Sequence, residues 1–344
     1  MSSGKNYLFR SLASLTILLV IAAAVSLAGC AGPSPTATPT PTALPSPTLQ
    51  PSPTPAGNTP SPASEASWEK HGYIPELSGP DYCDPDIIPI DNDTYRMYFA
   101  NGTRDRIVYS ATSADGVTWH WDQGSTFEAC FPDVVRLPDG KLRMYFTNGP
   151  GKIRSATSAD GLHWTAEKDD VIGLGDGSGG FVDNLAGPST ILLDDGTYLM
   201  VHRADLYKKY AAGVPNDKTS MLHWATSKDG VNFEQRGIAL DSRNNRFMGF
   251  MDGPDLVRWS DNTVRVYFWT YDGIYYSTYS NGTFAEPVFA HIDNLIPEEV
   301  GRRFPSAPPS DPTLIQIGDT WYMYYGHMPR DTHPGGVYYA TLKA

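Results

Sequence analysis

The chain has 344 residues and a formal net charge of −12 at neutral pH, with 26 Lys and Arg against 38 Asp and Glu. Because a negative protein repels the phosphate backbone, the composition excludes nucleic acid as an expected partner. The same charge is compatible with a neutral substrate.

The N-terminal segment has the pattern of a secretory signal peptide at 1–29. Two cations precede an apolar run at 15–29, which is shorter than the roughly 20 residues of a membrane-spanning helix. The run ends in LAGC, which resembles the lipobox of bacterial lipoproteins and places the lipid on Cys30. The resemblance implies a membrane contact through that lipid, and a location at the cell surface or in the periplasm.

The next segment, 30–65, consists almost entirely of Pro, Thr, Ser and Ala. Proline lacks a backbone donor and nothing in the segment fills a core, so we predict a disordered tether. The remaining residues, 66–344, are enough for one large core or two smaller ones. Removing the two cations of the signal peptide from the chain's −12 makes the mature charge −14.

Five segments of this remaining part align on a proline followed by a short apolar run. After each come a turn, an aromatic-rich strand and a third strand. Three of the third strands run into nearly the same sequence, SATSADGVTWHW at 110–121, SATSADGLHWTA at 155–166 and WATSKDGVNFEQ at 224–235. Asp-Gly is a strong hairpin signal, so each copy continues into a fourth strand. The aligned prolines are Pro85, Pro132, Pro188, Pro254 and Pro312.

The spacing of these prolines, 47, 56, 66 and 58 residues, is typical of propeller blades. We predict an all-β, five-bladed β-propeller with four antiparallel strands per blade. Two packed β-sandwiches are the alternative. The fifth copy ends after its third strand, and the segment 67–74, SWEKHGYI, resembles the other fourth strands. We expect this N-terminal strand to complete the fifth blade and close the ring.

The first strand of each blade lines the central channel of a propeller, so side chains beside the five prolines converge. Crowded carboxylates raise each other's pKa, and we expect at least two of them to act on a ligand while others cap turns or bind backbone amides. These candidates are Asp84, Asp86, Phe131, Asp133, Asp252, Asp255 and Asp311.

Loops between the second and third strands open on the same face and carry a second set of candidates. Amides, a guanidinium and flat rings suit the hydroxyls and C–H faces of a sugar, although aromatic residues of strands also commonly fill a core. The set consists of Asn101, Asn148, His202, Arg203, Trp269, Tyr271 and His327.

Two further cysteines, Cys83 and Cys130, occupy equivalent positions in adjacent blades. A protein outside the cytoplasm is in an oxidising compartment. We therefore expect a disulfide between these two residues.

The proline-anchored strand starts such as Asp84-Pro85, the aromatic second strands and the ATSADG third strands together resemble the five-bladed propeller glycosidases. That superfamily includes the arabinanases and β-xylosidases of glycoside hydrolase family 43, the invertases and the levansucrases. The resemblance spans 67–344 and implies a surface-tethered glycoside hydrolase of polysaccharides or oligosaccharides. Arabino-, xylo- and fructofuranosidic bonds are the candidate linkages.

Family 43 enzymes invert the anomeric centre with a general base, a general acid and a third carboxylate. The resemblance implies that Asp84 is the base and Asp252 the acid, although the family has Glu-Gly-Pro where this chain has Asp-Gly-Pro. The third position holds Gly187, so Asp183 or Asp133 would have to replace the missing carboxylate.

Two other functions remain open. A non-catalytic propeller that captures glycans is the main rival, favoured by the departures at Gly187 and Asp252. A sialidase is the third reading, but Arg96, Arg143 and Arg265 fall in mid-strand, where a structural role is expected.

The expected chemistry requires no cofactor. Some relatives hold an ion in the channel, so the resemblance allows a structural Ca²⁺ bound by oxygen ligands there, although no spacing specifies a metal site. A monomer is expected.

Overall fold

The computed structural model describes residues 67–79, 82–101, 106–124, 126–149, 151–174, 182–293, 295–299, 302–330 and 333–344. The predicted signal peptide, the lipid on Cys30 and the predicted tether lie outside the described residues. Within the described part of the chain, no helix has the length and apolar character needed to cross a membrane.

In the described residues the strands form five antiparallel sheets, which are the blades of a β-propeller. Blade one consists of β2 (Tyr82–Pro89), β3 (Tyr95–Asn101), β4 (Ile107–Ser113), β5 (His120–Trp121) and β6 (Phe127–Glu128). Blade two consists of β7 (Cys130–Arg136), β8 (Leu142–Thr147), β9 (Lys152–Ser158) and β10 (Thr165–Gly173). Blade three consists of β11 (Asn184–Leu192), β12 (Tyr198–Leu206), β13 (Thr219–Ser227) and β14 (Glu234–Leu240).

Blade four consists of β15 (Asp252–Arg258), β16 (Val264–Thr270), β17 (Gly273–Ser280), β18 (Thr283–Phe284) and β19 (Val288–His291). Blade five consists of β20 (Ser310–Ile317), β21 (Thr320–His327), β22 (Gly336–Lys343) and, on its outer edge, β1 (Glu69–Ser78). A single 3₁₀ turn, Pro297–Glu299, is the helical structure found in the described residues. The predicted all-β, five-bladed propeller is confirmed.

The ring is closed by its N-terminal strand, as predicted. Strand β1 pairs antiparallel with β22, with Glu69 opposite Thr341 and Tyr73 opposite Tyr338. The last strand of the fifth blade therefore comes from the start of the domain, so that opening the ring requires breaking this sheet.

The hydrophobic core lies between blades, because the alternating strand pattern gives each sheet apolar residues on both faces. Five buried clusters are found among the described residues, each shared by two neighbouring blades. The cluster between blades five and one holds Tyr324, Met97 and Leu77, all fully buried. Residues from β1 thus contribute to the interface that closes the ring.

The repeated dozen residues form a turn that fastens one blade to the next. In the first copy the Ser113 hydroxyl accepts a hydrogen bond from Gly116 N at 2.9 Å, and Asp115 accepts from Thr118 N at 2.7 Å. The carbonyl of the buried Gly116, at φ 76°, then accepts from the Tyr324 hydroxyl of blade five at 2.7 Å. The other copies repeat the contact, with Tyr98 to Gly161 at 3.0 Å and Tyr145 to Gly230 at 2.6 Å.

We expect Leu77→Ala to lower the free energy of unfolding by about 2–5 kcal/mol, because it removes buried methyl groups and leaves a cavity in the closing interface. Urea denaturation measures the loss. Glu69 is exposed on the same strand, and Glu69→Ala is expected to change stability by less than about 0.5 kcal/mol. An equally small change in both variants would contradict the role of β1 in closing the ring.

Candidate functional site

The backbone before each channel proline has the same unusual conformation in all five blades. A register shift interrupts the pairing of the first two strands at this point, as between Cys83 and Asp86 in blade one. Such bulges redirect side chains and often lie beside active sites. The φ angles are 52° at Asp84, 51° at Phe131, 53° at Gly187, 53° at Gly253 and 47° at Asp311.

Three of these five residues before the channel prolines are not glycine. For each of them a left-handed φ costs on the order of 1–3 kcal/mol, a strain that is found at functional sites. Asp84 and Asp311 are two of them, and both turn a carboxylate toward the channel mouth. The repeat therefore supplies five equivalent backbone positions around one space, and the side chain at each position decides its chemistry.

The residues that directly follow the five channel prolines form a second ring, here called the lower ring, which connects neighbouring blades. Asp86 accepts a hydrogen bond from Val134 N of blade two at 2.8 Å, and Asp255 accepts from Leu314 N of blade five at 3.0 Å. The hydroxyl of Ser189 accepts from Leu256 N in the same way at 2.8 Å. Asp86 and Asp255 therefore hold neighbouring blades, and their predicted contact with substrate stays a prediction.

Asp133 lies in the same ring, beside a central cavity of about 30 Å³. It is buried and bonds to Thr190 of blade three, while its Oδ2 has no hydrogen-bond partner among the described residues. Burial, and then Asp86, raise the pKa of Asp133 well above its usual range. Burial, and then Asp86, also raise the pKa of Asp255.

Above this ring the channel opens into a cavity of about 290 Å³ that brings together three carboxylates, Asp84, Asp252 and Asp311. Burial, reinforced by the charge of Asp252, raises the pKa of Asp84 to about 7. Burial, followed by the charges of Asp84 and Asp252, raises the pKa of Asp311 well above its usual range. In the free protein at neutral pH, protons are therefore retained in this cluster.

Arg203 of β12 provides the balancing positive charge. Its guanidinium donates to Asp252 Oδ2, lies 3.3 Å from Asp205 Oδ1, and sits 5.3 Å from the centre of the Phe131 ring. Burial opposes the charged form of Arg203, but Asp252 and Asp205 outweigh burial and raise the pKa of the guanidinium. Asp252 is thus held in a buried salt bridge with Arg203.

Apolar surface lines the rest of the mouth. Trp269 and Phe131 line the cavity, and Trp269 Nε1 donates to Asp311 at 3.1 Å. Both residues belong to the predicted sugar-binding set. An indole and a phenyl ring beside carboxylates and a guanidinium suit the two faces of a sugar, its C–H groups and its hydroxyls.

Other residues of that set lie away from the mouth cavity. His202 is fully buried within blade three, with Nε2 3.4 Å from Gln235, and His327 is buried against the ring of Tyr338. Asn148 donates to the carbonyl of Glu128 at 3.3 Å, and the Asn101 carbonyl accepts from Arg106 N at 3.0 Å. These four roles stay predictions.

Tyr271 supports the wall of the site from behind. Its ring packs on Phe250 and edge-on against Phe304, each at 4.8 Å, and its hydroxyl accepts from Asn216 N in the long loop between β12 and β13 at 3.4 Å. The same loop places Lys218 2.7 Å from Asp205 Oδ2, a contact that no repeat position predicts.

Neither predicted replacement for the third carboxylate lies in the mouth. Asp183 accepts from Tyr207 N at 2.6 Å, and Asp133 belongs to the lower ring. Asp311 of blade five is the third carboxylate that the structure brings beside Asp84 and Asp252.

Met328 and Arg330 lie in the loop after β21, one of the loops between second and third strands that were predicted to open on this face. Ala307 and Pro308 lie instead in the connection before β20. Repeat alignment has no signal for these two positions, because that connection differs from blade to blade.

The predicted disulfide between Cys83 and Cys130 is wrong. The two sulfurs are not joined in the structure. The Cys83 thiol donates to the Ala100 carbonyl of its own blade at 3.7 Å, and Cys130 is a buried thiol whose pKa burial raises to about 11. Equivalent positions in neighbouring blades therefore do not by themselves bring two sulfurs together.

No known protein-family model matches the sequence. No curated protein matches it. Solved structures nevertheless share its fold. A thermostable family-43 glycoside hydrolase is 14% identical, with a TM-score of 0.57 over 78% of this chain and 91% of that chain. An endo-1,4-β-xylanase from Bacteroides thetaiotaomicron is 15% identical, with a TM-score of 0.53 over 77% and 91%.

A third similar structure comes from the GH130 family of mannoside phosphorylases, which contains glycoside hydrolases that target β-1,2 mannosidic linkages in Candida mannan. It is 12% identical, with a TM-score of 0.54 over 83% of this chain and 96% of that chain. At these identities the similarity concerns the fold.

The lower ring makes stability depend on pH. Burial raises the pKa of Asp86 to about 7, against about 3.9 in an unfolded chain. The folded protein therefore holds a proton that the unfolded chain releases, so the stability linked to Asp86 is complete below about pH 4 and lost as pH rises through about 7.

Asp86→Asn keeps an oxygen for Val134 N and removes this titration. We expect the variant to lose less unfolding free energy than the wild type between about pH 5 and about pH 8, measured by urea denaturation. Asp93→Asn, at an exposed position, is the matched control and should retain the wild-type pH dependence. Identical slopes for Asp86→Asn and the wild type would refute the buried titration.

Proposed function

We propose that this protein is a glycoside hydrolase that cleaves a polysaccharide or oligosaccharide, with Asp84 and Asp252 as its acid/base pair. The observation that carries the proposal is the pairing of these two buried carboxylates in one cavity with Trp269 and Phe131. The shared fold with a family-43 glycoside hydrolase and a xylanase supports it. Glycosidic hydrolysis needs one carboxyl group that is protonated and one that is ionised.

The charges around the pair divide these roles. Asp252 forms a salt bridge with the Arg203 guanidinium, whereas burial raises the pKa of Asp84 to about 7. We therefore assign the acid role to Asp84 and the base role to Asp252. This is the reverse of the roles implied by the resemblance to family 43. Asp311, close to both, is the third carboxylate of the proposal.

Arabino-, xylo- and fructofuranosides remain the candidate substrates, and β-1,2-mannosides join them because a similar structure comes from a family with that activity. Inversion at the anomeric carbon also remains a prediction. It requires room for a water between the two carboxyl groups, which in inverting enzymes lie about 6.5–9.5 Å apart. The anomer first released, observed by proton NMR, tests it.

A non-catalytic carbohydrate-binding propeller is the second candidate function. It is favoured by Gly187, which provides no carboxylate on blade three, and by the salt bridge that engages Asp252. On this alternative, a glycan binds at Trp269 and Phe131 and is recovered uncleaved.

The surface location is part of the same proposal. The lipobox-like sequence before Cys30 and the tether at 30–65 support an anchor that holds the domain away from a membrane. Incorporation of a radioactive lipid into the wild type but not into Cys30→Ala tests it. A monomer and a channel Ca²⁺ remain predictions, and no convergent set of three metal-ligating side chains occurs among the described residues.

We expect Asp84→Asn and Asp252→Asn each to reduce kcat by about 10²–10⁴-fold, the usual contribution of a positioned acid or base. Release of sugar from nitrophenyl glycosides, arabinan, xylan, fructan and β-1,2-mannan measures the effect. Asp93→Asn, remote from the mouth, is the control and should keep full activity. Cleavage that survives in the double variant Asp84→Asn/Asp252→Asn would remove this pair from the mechanism.

The pH profile distinguishes the two role assignments. Because kcat/KM reports the free enzyme, we expect it to fall as pH rises through about 7 and Asp84 loses its proton. A kcat/KM that instead rises through the same range would return Asp84 to the role of base. Either profile disappears in Asp84→Asn if Asp84 is the titrating group.

A further inference from the structure

A second cavity, of about 260 Å³, adjoins the mouth on the side of blades two and three. The Phe131 ring lines both spaces and separates them. The mouth contains three carboxylates, whereas the residues lining this second cavity include no acidic side chain and two guanidinium groups, those of Arg106 and Arg203. The site thus has an acidic half and a basic half.

The two arginines differ in what balances them. Arg203 is engaged by Asp252 and Asp205. Arg106 is an exposed residue that lines the cavity, and it has no ion-pair partner within the described ranges. Burial and then Asp84 raise the pKa of Cys130, and the charge of Arg106 opposes that rise. A positive group that stands over a cavity without a counter-ion is suited to an anion.

Arg106 is held in an unusual backbone conformation. Its φ is 51°, and hydrogen bonds fix it on both sides, from its own N to Asn101 O at 3.0 Å and from Ala129 N to its carbonyl at 2.8 Å. A left-handed arginine is strained and persists where the surrounding structure enforces it. The hydrogen bonds thus fix the backbone of Arg106 at the border of the cavity that it lines.

A buried hydroxyl lines the same cavity. The side chain of Thr147, at the end of β8, is 7% exposed, and its Oγ1 has no hydrogen-bond partner among the described residues. Buried polar atoms are usually paired, so an unpaired donor beside two guanidinium groups indicates a position where an oxygen atom of a ligand fits.

The residue before the channel proline of blade three carries no charge. The position before its proline is Gly187, and a β-carbon placed there would lie 3.9 Å from Asp252 Oδ1 with no closer atom than 3.7 Å. The first strand of blade three therefore adds no acidic side chain at this position.

We infer that the second cavity is an oxyanion subsite, in which Arg106 and the Thr147 hydroxyl bind an anionic oxygen group beside the reacting bond. The group is either the carboxylate of a uronic acid residue of the glycan or a phosphate. The inference rests on the proposed function, because it assigns a substrate class to the same site. A guanidinium binds either group through two parallel hydrogen bonds.

The test is binding by calorimetry to the full-length protein, so that it does not depend on turnover. The probes are galacturonate, galactose as its neutral match, and inorganic phosphate. We expect the wild type to bind galacturonate at least about 10-fold more tightly than galactose, with a preference that weakens as salt screens the charges.

Arg106→Gln is expected to abolish this preference, and Arg106→Lys, which keeps the charge, to retain part of it. Arg258→Gln is the matched control, since Arg258 ends strand β15 and pairs with the exposed Asp194. Melting curves of each variant verify that it is folded. Phosphate is tested as a competitor of galacturonate. If phosphate displaces galacturonate, binds more tightly than galacturonate and loses its binding in Arg106→Gln, the subsite is a phosphate subsite.

Two results would overturn the inference: a wild type without preference for either anion over galactose, or a preference that persists in Arg106→Gln. The two proposals fail separately. Anion binding through Arg106 without cleavage of any glycan would remove the glycosidase and leave the subsite. Cleavage of neutral glycans without an anion preference would remove the subsite and leave the glycosidase.

Discussion

The left-handed backbone that precedes each channel proline is the constraint on which the site depends. It recurs in all five blades with φ between 47° and 53°, and a bulge in the strand pairing accompanies it each time. In blades one, two and five the left-handed residue lines the mouth. In blades one, three and four the residue after the proline accepts a hydrogen bond from the backbone of the neighbouring blade. The same local geometry therefore positions the reactive carboxylates and fastens the ring, so that an active-site side chain cannot shift without disturbing a contact between blades.

A second consequence is the division of charge. Asp84 and Asp311 are both buried near the charge of Asp252, and burial is the main cause that raises the pKa of each. Asp252, in contrast, is matched by Arg203, which also borders the basic cavity. Carboxyl groups that retain protons lower the stability of the folded protein as pH rises, and the same retained protons are what acid catalysis requires. The buried carboxyl groups of the channel thus affect both the pH dependence of stability and the proposed catalysis.

Much of the fold can be predicted from the sequence, because each blade repeats the same residue pattern and makes the same kind of contact with the next blade. The aligned prolines and the aromatic second strands predict five blades, and the unfinished fifth copy predicts closure by an N-terminal strand. The site follows less well. Asp84, Asp252 and Trp269 share the mouth as expected, but His202 and His327 are buried within the blades, and the cysteine pair is not a disulfide. The alignment of the repeats shows which positions of the blades are equivalent. It does not give the distance between equivalent residues of neighbouring blades.

The repeated SATSADG turns illustrate what the sequence alone determined. Their Ser, Asp and Gly make local hydrogen bonds, so they set the strand register and thereby the blades and the ring of acidic residues. Tertiary structure decided the rest: that Arg203 pairs with Asp252, that Asp311 is the third carboxylate, that Lys218 reaches Asp205, and that Ala307 and Pro308 line the mouth from a connection outside the repeat. The reason is physical. Local hydrogen bonds depend on neighbours in sequence, whereas burial and charge balance depend on side chains that different blades bring into one cavity.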